Sequence, residues 1–229
     1  MSIPAQMRPA KEASLGRSVR MLLSERLIAG VYSPGEKLSL RSVATGLGVS
    51  MTPVREAVSR LVADGALEVT PNRAVRVPIL DLTRFRELTA LRIEIEGMAA
   101  AWAAAARNKA DLTAIAEAEE GFRRERSKTR PQLARIVAIN QRLHFAVYRA
   151  AKSSMLVEII VGLWLKAGPI LNFDMARNNT WVSSGAGARY HAAALAAIRR
   201  QDSDAARAAI VGDIQQASDR IIALGQLPA

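Results

Sequence analysis

Apolar residues in the first third of the chain recur at the spacing of short helices. From Leu15 to Ala29 they return every three or four positions, which predicts an amphipathic helix. A short helix is predicted over Leu40–Leu47, and a third begins at Thr52, whose hydroxyl can cap it, and ends at Gly65. Residues 1–12 contain prolines and small polar residues without this periodicity, so a flexible arm is expected there.

The pattern changes from helix to strand after the third helix. The runs "ALEVT" and "AVRVPI" are short and rich in β-branched residues, and "PNR" joins them, which predicts a β-hairpin. Three helices and a hairpin, with two of the helices joined by the tight turn "GLGVSM", are typical of a winged helix-turn-helix. We assign this domain to residues 13–78.

Beyond Pro78 the chain becomes rich in alanine and leucine and its apolar positions keep the helical period. Six amphipathic segments separated by short breaks predict an all-helical antiparallel bundle over residues 79–229. The expected fold class is therefore mainly α. The six segments cover about residues 83–106, 110–127, 131–151, 154–177, 186–201 and 203–225.

Composition and charge narrow the classes of function. The chain has no cysteine, which excludes a disulfide framework, a thiolate nucleophile and a cysteine metal site, and agrees with a cytoplasmic location. The longest apolar stretch that we identify, Gly97–Ala106, is far below the roughly 20 residues of a membrane span, so no membrane partner is expected. The formal net charge of +11 favours an anionic partner, most often nucleic acid.

The positive charge is denser in the N-terminal domain but not confined to it. Residues 1–77 contain 11 Lys and Arg against 6 Asp and Glu. A second group of basic residues crowds the join between the second and third bundle helices, where a solvated connection or an additional phosphate contact would explain it: Arg123, Arg124, Arg126, Lys128 and Arg130. Net charge alone is therefore weak evidence for DNA binding, and position within a motif must decide.

The helix-turn-helix places particular side chains at the DNA. Its second helix enters the major groove, and residues of the first turns reach bases or phosphates, here Met51, Thr52 and Arg55. An arginine there can bind guanine through two hydrogen bonds, and Arg41 on the preceding helix is placed to meet the backbone or a nearby base. The alternative is that these arginines are only solvated residues of a surface helix.

The string "LRSVATGLGVSMTPVREAVSRLVADGALEVTPNRAVRV" resembles the DNA-binding domain of the GntR family, and the whole chain is similar to its FadR subfamily. The resemblance implies that Arg41 and Arg55 contact operator DNA and that the hairpin tip around Arg73 enters the minor groove. Two positions depart from the family pattern. Met51 stands where many members have arginine or another polar residue, and Ala74 stands where the wing usually has glycine.

Polar side chains interrupt the apolar stripes of the predicted bundle. Asn140 and His144 lie one turn apart on one stripe, and His191 and Asp213 lie on two later ones. Burying each alone would cost several kcal/mol in order of magnitude, whereas one shared metal or ligand would satisfy all four. The alternative is that each is a separately hydrogen-bonded core residue. Arg92 interrupts another stripe and would need a carboxylate, either from a ligand or from a neighbouring glutamate.

The region from about Leu82 to Leu224 resembles the FCD ligand-binding domain. Many FCD domains bind a divalent metal through an aspartate four positions before a histidine and two further histidines on the last two long helices. The resemblance implies a metal site at Asn140, His144, His191 and Asp213, with Asn140 and Asp213 in place of the usual aspartate and final histidine. This donor set is chemically acceptable for Zn²⁺, Ni²⁺ or Mn²⁺. An effector held there, with Arg92 nearby, is expected to bear a carboxylate.

These features predict a DNA-binding transcriptional regulator that is not an enzyme. Its operator affinity would depend on a small carboxylate metabolite, and a homodimer would read two half-sites of the operator. One alternative is a metal-dependent enzyme using His144, His191 and Asp213, although no separate nucleophile or acid–base motif supports it. Another is an architectural DNA-binding protein that responds to no ligand.

Overall fold

The N-terminal domain contains three helices and a small antiparallel sheet. The computed structural model describes residues 8–177 and 186–228. The sheet has the strand order β1-β3-β2, so the two hairpin strands are extended by a third. The winged helix-turn-helix expected from the sequence is confirmed. Its elements are α1 (Arg8–Ile28), β1 (Lys37–Leu38), α2 (Leu40–Leu47), α3 (Met51–Ala63), β2 (Glu68–Val69) and β3 (Val75–Arg76).

Two features of this domain differ from the sequence expectation. The strand β1 is only two residues long, too short for an alternating pattern, and forms because Leu38 pairs with Val75 across the sheet. Helix α1 begins at Arg8, so the second half of the expected arm at residues 1–12 is helical, while residues 1–7 lie outside the described part of the chain.

The turn between α2 and α3 fixes the two helices of the helix-turn-helix. Ser39 caps α2 by accepting a hydrogen bond from the Ser42 backbone N–H at 3.2 Å. Gly48 ends α2 with a φ of 63°, in the left-handed region that favours glycine. The inward face of α3 carries Val54, Ala57 and Leu61, and their burial in the domain core anchors the helix.

Six further helices form the C-terminal bundle within the described residues, as expected. The first of them, Leu82–Ala106, packs along the last, Ser203–Ala223, which also packs along Ala186–Arg200, and Lys109–Arg126 packs along Leu133–Ala150. The N-termini of α4, α5 and α9 are capped by Asp81, Asn108 and Asp202, whose side chains accept backbone hydrogen bonds. The six helices are α4 (Leu82–Ala106), α5 (Lys109–Arg126), α6 (Leu133–Ala150), α7 (Ser154–Arg177), α8 (Ala186–Arg200) and α9 (Ser203–Ala223).

Helix α7 is the most apolar element of the bundle. Its segment Ser154–Asn172 is long and apolar enough to cross a membrane by length and composition, and it exceeds the stretch Gly97–Ala106 that we identified from the sequence. Half of this segment is buried inside the protein, where it packs against α1, α4 and α6. A buried core helix has the same composition, so this segment is weak evidence for a membrane.

Candidate functional site

Four of the residues expected to meet DNA lie on α2 and α3. Arg41, Thr52 and Arg55 are exposed. Met51 is only partly buried, so one part of its side chain packs against the domain core and another part is exposed. Pro53 and Val54, in the same turn of α3, are buried. The first turn of α3 is therefore held in place by its apolar face, while its polar face is exposed. The geometry is compatible with entry of α3 into a major groove.

The tip of the wing is a tight turn around Arg73. Thr70 closes this turn, since its backbone N–H donates to the Ala74 carbonyl at 2.8 Å and its carbonyl accepts from the Arg73 N–H at 2.8 Å. Arg73 is exposed and has a φ of 61°. The left-handed position of the wing is therefore at Arg73, one residue before Ala74, where the family usually has glycine. A non-glycine side chain in this region carries a conformational cost of about 1 kcal/mol.

Replacing Arg73 by glycine or by alanine separates its charge from its backbone strain. We expect both variants to lose the same amount of operator affinity, since both lack the guanidinium group. The Arg73→Gly variant should be more stable than Arg73→Ala by about 1 kcal/mol, because glycine adopts a positive φ without strain. Urea unfolding and a DNA titration at fixed salt measure the two effects. Wild-type DNA affinity in both variants would remove Arg73 from the interface.

Four of the five expected sensing residues line one narrow cavity in the bundle, which we call the bundle cavity, and the fifth, His191, lies behind Asp213 rather than in this lining. Its volume is about 30 Å³, enough for an ion or a water molecule but far below the roughly 300 Å³ of an ordinary ligand pocket. Arg92, Asn140, His144 and Asp213 all contribute to its wall. Other wall residues are Trp164, Leu171, Asn172, Ile214, Gln216, Ala217 and Arg220.

Helices α6, α8 and α9 bring two imidazoles and one carboxylate together. We call these residues, His144, His191 and Asp213, the His–Asp cluster. One donor atom from each residue lies within 4.8 Å of the others. His144 Nε2 is 3.2 Å from Asp213 Oδ2, and His191 Nε2 is 3.8 Å from Asp213 Oδ1. Both histidines are buried, and the Asp213 side chain is 14% exposed toward the bundle cavity. Donor atoms on one ion at about 2.0–2.2 Å would lie somewhat closer together, about 3–4 Å apart.

A buried network holds the other side of His144. His144 Nδ1 lies 2.9 Å from Tyr148 Oη, and the Tyr148 hydroxyl donates to Glu96 Oε2. Since that hydroxyl has one proton, we assign Nδ1–H of His144 as the donor to Tyr148. If only Nδ1 carries a proton, an unprotonated Nε2 faces the Asp213 carboxylate. Such an arrangement repels unless a proton or a cation lies between the two groups.

Glu96 collects four hydrogen bonds at the base of this network. Arg92 Nε donates to Glu96 Oε1 at 2.6 Å and Arg92 Nη2 to Oε2 at 3.2 Å, while Trp164 Nε1 donates to Oε2 at 3.0 Å. Tyr148 supplies the fourth. The Arg92 and Glu96 side chains are 6% and 0% exposed, so this is a buried ion pair. It is the internal pair with a neighbouring glutamate that the sequence left open as an alternative for Arg92.

The charges of these groups follow from burial and from their neighbours. Burial raises the pKa of Asp213, but the neighbouring His144 and His191 lower it by a larger amount. The net pKa of Asp213 therefore lies well below its usual range, and the group is a carboxylate near neutral pH. Burial alone would lower the pKa of Arg92, but the Glu96 charge raises it above its usual value. Burial and the Glu96 charge both raise the pKa of Tyr148, which keeps its hydroxyl protonated.

The hydrogen bonding and the donor atoms of the His–Asp cluster fit a divalent cation. Both ring nitrogens of His191 are buried and have no hydrogen-bond partner among the described residues, although an unpaired buried polar group is costly. His144 directs Nδ1 at the Tyr148 hydroxyl oxygen, as metal-bound histidines usually direct their second ring nitrogen at an oxygen, and this leaves Nε2 on the side of Asp213. His144, His191 and Asp213 can therefore hold Zn²⁺, Ni²⁺ or Mn²⁺, and Asn140 is the nearby wall residue available as a further oxygen donor.

Sequence reasoning did not find Glu96, Tyr148 or Trp164. Glu96 follows Arg92 by four positions and Tyr148 follows His144 by four, so each pair lies on one helix face and offered a signal. Trp164 had no such signal, because its contact with Glu96 joins α7 to α4.

The basic group at the α5–α6 join is largely paired with glutamates. Arg123 and Arg124 both bond Glu120, and Lys128 Nζ lies 2.6 Å from Glu125 Oε2. These contacts favour a solvated, ion-paired connection over an additional phosphate contact.

The family comparisons agree with the two parts of this fold. The model of "Bacterial regulatory proteins, gntR family" matches residues 15–77, and the "FCD domain" model matches residues 87–216. The HTH-type transcriptional regulator McbR of Escherichia coli K12 is 32% identical over 206 residues, covering 90% of this chain and 92% of McbR. The repressor RspR of the same organism is 21% identical over 224 residues, 96% of this chain and 94% of RspR.

Solved structures show the same arrangement of domains. The structure of E. coli McbR/YncC has a TM-score of 0.83 and 29% identity, covering 93% of this chain and 99% of that one. A GntR regulator of Rhodococcus sp. RHA1 has a TM-score of 0.71 at 21% identity, covering 92% and 98%, and shows the fold alone.

Proposed function

This chain belongs to the gntR family of bacterial regulatory proteins and carries an FCD domain, and from that premise we propose that a small carboxylate metabolite in the bundle cavity controls its affinity for operator DNA. Its relatives are transcriptional regulators rather than enzymes, so the metal-dependent enzyme considered above is set aside. The observation that carries the proposal is the His–Asp cluster, of which His144 and Asp213 lie at the wall of the bundle cavity. We further propose a cytoplasmic homodimer.

On the DNA side, the proposed interface consists of Arg41, Met51, Thr52, Arg55 and Arg73. Arg55 would bind a base edge from the first turns of α3, and Arg41 would meet the backbone or a nearby base. Arg73 would reach into the minor groove from the wing. A homodimer would place two α3 helices at two half-sites of a near-palindromic operator.

On the sensing side, His144, His191 and Asp213 would hold a divalent cation, with Asn140 as a further oxygen donor. A bound cation supplies a Lewis-acid anchor for one carboxylate oxygen of the effector. Tyr148 fixes the orientation of the His144 ring through Nδ1, and the buried Arg92–Glu96 pair holds Tyr148 in place. Arg92 remains paired with Glu96 in this arrangement. Its proposed contribution to effector binding is therefore the positive charge that it places at the cavity wall.

Removing the Asp213 charge should weaken metal binding without unfolding the chain. We expect Asp213→Asn to lower the affinity for Zn²⁺ by tenfold or more, on the order of the loss seen when a supporting group of a metal site is removed. Asp219→Asn is the matched control, since Asp219 is exposed on the same helix and bonds only Gln215 at 2.8 Å among the described contacts. Isothermal titration of the full chain with Zn²⁺ measures both. Equal affinities in the two variants would exclude Asp213 as a ligand.

The function itself is tested by a change in DNA affinity. An operator duplex is selected from random DNA with the full chain, and its dissociation constant is measured at fixed salt with Zn²⁺ and a panel of small mono-, di- and tricarboxylates. A regulator of the proposed kind shifts that constant by about 5- to 150-fold with one of them. A specific operator whose affinity ignores every carboxylate, with or without Zn²⁺, would favour the architectural alternative.

A further inference from the structure

Helix α7 lies between the bundle cavity and the DNA-binding domain. Trp164, Leu171 and Asn172 contribute to the cavity wall from this helix. Other residues of α7 pack against α1, and a single cluster of buried apolar residues continues from the DNA-binding domain into the bundle. A movement of α7 at the cavity therefore reaches the DNA-binding domain directly.

The side chain of Asn172 contacts both the bundle cavity and the end of α1. It is buried, with 2% exposure, and its Nδ2 donates a hydrogen bond to the carbonyl of Ile28. Ile28 is the last residue of α1, and carbonyls at a helix end need partners from outside the helix. The turn that follows α1 uses the carbonyls of Glu25, Arg26 and Leu27, so Asn172 caps the one that comes next.

The contact around Asn172 leaves little room for independent motion. Gly168 lies one turn before it on α7, and a Cβ at Gly168 would stand 2.6 Å from the Ile28 carbonyl oxygen and 2.7 Å from its Cα. The two backbones are therefore in direct contact. Nearby, Lys166 Nζ donates to the Asp64 carbonyl at 2.6 Å, at the C-terminal end of α3. Helix α7 thus contacts the C-terminal ends of both α1 and α3.

We propose that Asn172 transmits the filling of the bundle cavity to the DNA-binding domain, because an occupant displaces its side chain and breaks its hydrogen bond to Ile28. The inference rests on the proposed function, because it needs an occupant in that cavity. At about 30 Å³ the cavity cannot accept a carboxylate metabolite unless wall side chains move. An occupant that displaces the Asn172 side chain breaks its bond to the Ile28 carbonyl, which releases the end of α1. Since α1 packs along α3, the orientation of Arg55 changes with it.

The test fills the cavity without any ligand. Ala217 is a wall residue, and Ala217→Leu places three more carbons in the cavity. The substitution is made in the wild-type chain and in Asn172→Leu, which keeps the shape but lacks the donor. Lys166→Met is the matched control background, because it removes another bond from α7 to the DNA-binding domain at a residue outside the cavity wall. Each full-length variant is first checked for a cooperative thermal transition.

Two measurements are compared across these backgrounds: affinity for the selected operator duplex, and amide hydrogen exchange of residues 29–31, whose N–H groups bond the last turn of α1. In the wild-type and Lys166→Met backgrounds, Ala217→Leu should change operator affinity by at least about fivefold and speed exchange at residues 29–31. In the Asn172→Leu background it should change neither by more than about twofold. Equal effects of Ala217→Leu in all three backgrounds would overturn the inference, as would no effect in a folded wild-type background.

Zn²⁺ alone serves as a second perturbation and decides the comparison if Ala217→Leu does not fold. If the wild-type chain binds no Zn²⁺, the proposed metal site fails, while the Ala217→Leu comparison still decides the role of Asn172. If Zn²⁺ binds and changes operator affinity equally in wild type and Asn172→Leu, the proposed function stands and the inference is wrong.

Discussion

Replacing Glu96 by glutamine is expected to lower the free energy of unfolding by about 3–5 kcal/mol, the cost of leaving one partner of a buried ion pair without its counter-charge. Glu96 accepts hydrogen bonds from Arg92, Tyr148 and Trp164. A glutamine has a single accepting oxygen, and its NH₂ group would face donors. The buried Arg92 cation would then lack its counter-charge.

The matched control for this variant is Glu94→Gln. Glu94 lies two residues away on α4 and also forms an ion pair, with Arg207 at 2.6 Å, but its side chain is 68% exposed. Exposed pairs contribute about 0–1 kcal/mol, so the control should stay within that range of wild type. Urea unfolding of the full chains, followed by circular dichroism, gives both values. A similar loss for Glu94→Gln and Glu96→Gln would show that the buried network does not support the bundle.

Replacing Arg55 by alanine is expected to weaken binding to a selected operator by about 1–3 kcal/mol, which is about 5- to 150-fold. Arg55 is exposed in the first turns of α3, where a guanidinium can reach a guanine edge. If it binds a base, preference at one base pair should relax. If it binds phosphate, all sequences should weaken alike and the salt dependence should fall by about one counterion.

Arg60→Ala controls for the loss of one positive charge. Arg60 is also exposed on α3, but it lies in the last turn of the helix, away from the turns that enter the groove. We expect this variant to lose much less operator affinity than Arg55→Ala. Equal losses at fixed salt would mean that only the net charge of α3 matters, and unchanged affinity in Arg55→Ala would remove that residue from the interface.

The sequence predicted the elements well because their signals are local. The helices of the winged helix-turn-helix and the six bundle helices each span several turns, and a repeat of three or four residues shows over that length. The strand β1 was missed because two residues cannot display a period, and only its pairing with β3 makes it a strand. The helical residues 8–12 were missed for a similar reason, since the arm there has little apolar periodicity.

The sequence by itself also determined which polar residues of the bundle face inward, since Asn140, His144, His191 and Asp213 lie on apolar stripes and a stripe must be buried. The tertiary structure alone decided what those residues meet. Periodicity fixes a side chain's direction around its own helix, whereas the distance between His191 and Asp213 depends on how α8 and α9 pack. Likewise Arg92 could have bound a ligand or a glutamate, and the donors of Tyr148 and Trp164 converging on Glu96 from two other helices favour the internal pair.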